Sequence, residues 1–87
     1  MDEQKIIEAL APMYRAEFDA YNQLSLLAKE AAHDNDVLAF AALNSRAEKR
    51  SCYLDGIKAA VAVLGISDDA FMEAVNQDQK DGGEEDV

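Results

Sequence analysis

The chain has no tryptophan, one cysteine, one proline, one histidine and four glycines among its 87 residues, and each shortage closes a route. Cys52 alone cannot form an intramolecular disulfide, and neither a CxxC pair nor a four-ligand zinc spacing is present to staple a small fold. A reducing compartment fits such cysteine usage. The serines and Cys52 lack a partner for nucleophilic work, because the only imidazole, His33, falls at a turn and Cys52 near the middle of a helix. No enzymatic activity is expected, and no cofactor. Apolar runs stay short of the ~18 uncharged residues of a membrane span. The start Met1-Asp2-Glu3-Gln4-Lys5 lacks the basic, then apolar pattern of a signal peptide. The expectation is a soluble, cytoplasmic protein with no membrane partner.

Basic residues are scarce as well: 8 against 18 acids, for a net charge of -10. The excess is uneven. Residues 67–87 hold eight acids and one base, Lys80, a net -7 that leaves -3 for residues 1–66. Binding to nucleic acid works by counterion release at a basic patch, so direct contact with nucleic acid is not expected. A protein partner with a basic surface is the better electrostatic match.

Helical periodicity is what the chain has in quantity. In the first segment, Ile7, Leu10, Tyr14, Tyr21, Leu24, Ala28 and Ala31 form a heptad seam, widened by Ile6, Met13, Phe18 and Leu27. Pro12 sits inside this pattern, and the apolar phase crosses it unbroken, which predicts a kinked helix in preference to two helices parted at Ala11. In the second segment, Phe40, Leu43, Ala47, Leu54, Ile57, Val61 and Leu64 line a seam that only Arg50 interrupts. Between them, His33-Asp34-Asn35-Asp36 is a cluster of turn and cap formers, so the chain should reverse there into an antiparallel hairpin. Each arm is roughly 45 Å long at the helical rise.

Leu64-Gly65-Ile66-Ser67 reads as one compact stop and start. Gly65 suits the left-handed closing position, Ile66 the apolar contact after it, and Ser67 the next N-cap, with Asp68 and Asp69 at the positive end of the new helix. A short third helix is predicted from Asp68 to Gln77, folding back by Phe71, Met72 and Val75 over Ile6, Ile7 and Leu10. From Gln79 to Val87 there is no apolar periodicity, and a disordered acidic tail is expected. The fold class is therefore all-α: a long antiparallel hairpin plus a short third helix, with residues 1–78 as one domain and 79–87 as tail. A chain this short buries only about 60 to 65% of its unfolded surface. Apolar rows at Ile6, Met13, Leu27, Val37, Ala41 and Val63 exceed what one hairpin covers, so a homodimeric bundle is expected.

Several residues stand out as candidates. Glu30 and His33 match a Glu-x-x-His spacing of ferritin-like metal sites, but the further carboxylate Glu17 lies roughly 20 Å or more along the helix. The set gives no metal site, and His33 reads as a cation at a negative helix end. Cys52 reads as a small buried or half-buried side chain. Arg46, Lys49 and Arg50, interleaved with Glu48, form the one basic cluster and read as a solvated face. Tyr14, Tyr21 and Tyr53 read as core or interface residues, and whichever is exposed becomes the first candidate for a partner contact. Asp68, Asp69 and Glu73 are the acidic counterpart on the third helix. Antiparallel arms turning near residues 34 and 35 pair Glu17 with Arg50 across the seam, where an ion pair would fix register.

Absent chemistry, small size and acidity together point to a non-enzymatic acidic helical interaction protein that binds a basic surface of a larger protein. An inhibitor of a nucleic-acid-handling machine, of the anti-CRISPR or anti-restriction type, is an example. The concentration of charge after residue 67 speaks against mimicry of nucleic acid over the whole fold. The alternative is a structural or regulatory helical homodimer that scaffolds partners through apolar contacts, and a ferritin-like metal protein comes last.

Overall fold

The structure, a computed structural model, describes residues 2–85, with side chains through residue 77. The described residues are all-α and contain no strand: α1 spans Glu3–His33, α2 Val37–Val63 and α3 Asp68–Glu85.

Local chemistry sets where each helix begins. Asp2 Oδ1 accepts the Gln4 amide at 3.0 Å and so satisfies one of the orphan donors of α1's first turn. Asp36 Oδ1 does the same for Ala39 at 3.1 Å, and Ser67 Oγ for Ala70 at 3.4 Å. Helix α1 runs through Pro12 as one helix. The ring costs the Glu8 carbonyl its partner, but Ala11 and Tyr14 are buried on either side of it, and a break would forfeit that packing.

The helix ends use one device twice. Asn35 has φ 61°; its amide donates to the Ala32 carbonyl at 3.1 Å and the Asp36 amide to Ala31 at 2.8 Å. Gly65 has φ 78°; its amide donates to Ala62 at 3.0 Å and the Ile66 amide to Val61 at 3.1 Å. These paired bonds, closed by a left-handed residue, are Schellman motifs. At the second, Ile66 and Val61 are both buried, the apolar contact expected after such a stop. The reading of Gly65, Ile66 and Ser67 from sequence matches this geometry.

The chain forms two compact units, Met1–Ala16 with Gly56–Val87, and Glu17–Asp55. In the first, Ile7, Ala11, Tyr14, Val61, Ile66, Phe71 and Val75 are buried. Phe71 is fully enclosed and meets Tyr14 edge to face, with centroids 5.6 Å apart and planes at 87°. Burial of each large side chain here contributes about 1.5 to 3 kcal/mol. Helix α3 thus returns onto α1 at Tyr14, while Ile6, Leu10 and Met72 of the expected contact are only half-buried.

The second unit is a helical hairpin about Asn35, and its buried residues are Ala28, Ala31, Ala47 and Leu54. Methyl groups let the helices approach but bury little area. The larger apolar side chains near the turn stay in solvent: Leu26, Leu27, Val37 at 74%, Leu38 at 85% and Phe40.

Two expectations are corrected. Helix α3 extends to Glu85, eight residues past Gln77, because helical backbone propagates from a formed turn without needing an apolar face. The disordered tail expected from Gln79 to Val87 instead has helical backbone through Glu85, while its side chains and residues 86–87 lie outside the described residues. Cys52 is exposed, not buried. It stands two residues from Arg50 and from Leu54, and so falls outside the seam to which both belong. Residue type misled where helical phase did not.

Candidate interaction surfaces

Within the Glu17–Asp55 unit, Arg46, Lys49, Arg50 and Tyr53 recur on α2 at i, i+3, i+4 and i+7, which places them on one face. Together with Leu24 of α1 they line an open groove of about 410 Å³. Arg50 is held there from behind: its Nη1 donates to Glu17 Oε2 at 2.8 Å and Oε1 at 3.0 Å. The hydrogen bond and charge of Glu17 raise the pKa of the guanidinium above its ordinary value. The two side chains are 42% and 25% accessible for Arg50 and Glu17, so the pair is screened by solvent and not deeply buried. Tyr53 is exposed at the rim, whereas Tyr21 is half-buried. Tyr14 is buried against Phe71, with 7% of its surface accessible. Of the three tyrosines, Tyr53 is the interface candidate.

In the other unit, Asp69, Met72, Glu73, Asn76 and Gln77 line a shallow groove of about 350 Å³ on α3. Asp69 and Glu73 are one turn apart and exposed, and Met72 between them is half-buried. Asp68 stands aside from this groove and pairs with Lys58 at 3.5 Å. The arrangement presents an apolar spot ringed by carboxylates and amides.

His33 occupies the last turn of α1 and lines an exposed hollow with Lys29, Glu30 and Asp34. Among the described residues, no three His, Cys, Asp or Glu side chains are grouped so as to hold a metal ion. No described helix is long and apolar enough to cross a membrane.

By residue type Arg46, Lys49 and Arg50 form a solvated face; Leu24 and Tyr53 close that face into a groove. The i, i+3, i+4, i+7 spacing through Tyr53 was the available signal. Compared with known protein families, with curated proteins and with solved structures, the chain matches none.

Proposed function

We propose that the protein is a non-enzymatic helical interaction protein that binds a basic surface of a larger protein through the acidic face of α3. The observation that supports this reading is the half-buried Met72 flanked by exposed Asp69 and Glu73 in one groove. An apolar contact encircled by charge is how interfaces combine affinity with orientation. The net charge of -10 draws a basic partner from a distance. A nucleic-acid-handling protein carries such a surface, so inhibition of a machine of the CRISPR or restriction class is the specific form of this reading. The test is affinity capture from the native host with the wild-type chain and with Asp69→Lys/Glu73→Lys. A specific partner captured by the wild type, released steeply as salt rises and lost in the variant, supports the reading. A partner retained equally by the variant overturns it.

A second reading is a structural homodimer joined through apolar contacts. It rests on the exposure of Leu26, Leu27, Val37, Leu38 and Phe40 beside a core built mostly of alanine. Sedimentation at micromolar concentration is expected to give twice the chain mass, insensitive to salt and halved by Val37→Glu/Leu38→Glu. A monomeric wild type overturns this second reading and leaves the first in place.

A further inference from the structure

We infer that the groove of Arg46, Lys49, Arg50, Tyr53 and Leu24 is a second binding site, of opposite sign to the α3 face, for a short acidic peptide segment that carries an apolar or aromatic side chain.

The groove is cationic without internal compensation at its mouth. Arg46 and Lys49 are exposed and form no ion pair among the described residues. Glu48, the carboxylate interleaved in this run, does not line the groove; its Oε1 accepts from Asn44 Nδ2 at 3.5 Å, on the i-4 side of the helix. Of the three groove cations Arg50 has a partner, and that partner fixes where its guanidinium stands. Leu24 supplies an apolar floor and Tyr53, 57% accessible, an aromatic wall. Arginine and tyrosine side by side are the residue types that dominate binding energy at interfaces.

Charge and size then choose the ligand. The four α2 residues span two helical turns, roughly 10 Å, which accommodates two or three anionic groups. Salt screens charges beyond about 8 Å, so the two free cations attract an anion at contact range despite the charge of the whole chain. A nucleic acid would carry its run of phosphates beyond the groove, onto a chain of net charge -10. A peptide with two or three carboxylates and one apolar side chain satisfies cations, floor and wall together.

The test uses the full chain, labelled with ¹⁵N, and three probes: a pentapeptide of four glutamates around a phenylalanine, the same peptide with lysines for glutamates, and a five-residue oligothymidylate. At about 50 mM salt the acidic peptide is expected to shift amide signals of Leu24 and of residues 46–53, with affinity falling about tenfold at 300 mM. Arg46→Gln/Lys49→Gln should abolish those shifts while the circular dichroism of the helices is unchanged, and Tyr53→Ala should weaken binding several-fold. Absence of shifts, shifts that persist in the glutamine variant, or equal binding of the lysine peptide would overturn the inference. Tighter binding of the oligothymidylate would also overturn it, in favour of a nucleic-acid site. Asp69→Lys/Glu73→Lys leaves these shifts in place, so this site and the α3 face stand or fall separately.

Discussion

Glu17 and Arg50, 33 residues apart in sequence, are joined through a single nitrogen: Arg50 Nη1 reaches both carboxylate oxygens, at 2.8 and 3.0 Å. A guanidinium that used two nitrogens in parallel would lock the carboxylate plane; one nitrogen fixes position along the helices and leaves rotation free. A slip of either helix by one turn would part the two charges, so the pair marks one alignment of the hairpin.

A double-mutant cycle on Glu17→Leu and Arg50→Leu measures that role. Each single change is expected to lower the denaturation midpoint, and the double variant to recover part of the loss. Additive effects would mean the charges are uncoupled in solution. Because Glu17 raises the pKa of Arg50, the contribution from the arginine is complete below its unfolded value and is lost only as pH rises through the still higher folded value. Between neutral and mildly alkaline pH, the coupling contributed by Arg50 should therefore stay constant.

Gly65→Ala isolates the cost of a left-handed backbone. An added methyl at Gly65 would meet nothing within 4 Å, so only φ of 78° opposes it. A loss of about 1 kcal/mol in urea unfolding is expected. At Asn35, where the same geometry is already met by a tolerant residue, Asn35→Gly should change stability by only a few tenths of a kcal/mol.

Phe71→Ala removes the one fully enclosed aromatic ring among the described residues and its edge contact with Tyr14. The expected cost is about 3 to 5 kcal/mol, enough to unfold much of a chain this small. A midpoint shifted by less than a third of that would show that α3 contributes little to the fold.

Truncation after Asp78 should leave the melting temperature nearly unchanged, because residues 79–87 contain one apolar side chain, Val87, apart from their two glycines. A fall of many degrees would show that this stretch is held against the rest of the chain.

Much of the architecture was legible because helical phase survives in the sequence. Ile7, Tyr14, Ala28 and Ala31 on α1, and Ala47, Leu54 and Val61 on α2, were assigned to the seam and are buried. The meeting of Glu17 with Arg50 followed from the position of the turn. What phase cannot supply is the size of the residue opposite. Phe40 and Leu64 are seam positions yet remain 39% and 43% accessible; for Phe40, the buried α1 side chains of its unit are alanines, too small to cover a ring. The site was harder to read than the fold. Carboxylates announce themselves by number, but a groove needs a floor from a second helix, and the place of Leu24 beside Arg46 and Tyr53 is a fact of three dimensions.

The two connections between helices leave no slack. Amides 34, 35 and 36 are each spent on carbonyls of α1, and amides 64, 65 and 66 on carbonyls of α2, before Asp36 and Ser67 open the next helix. A reporter or affinity tag spliced at either bend would have to unmake a cap to enter. For the experimenter, these bends are the wrong place to build, and labels belong on helix exteriors such as the lone, outward-facing thiol of Cys52.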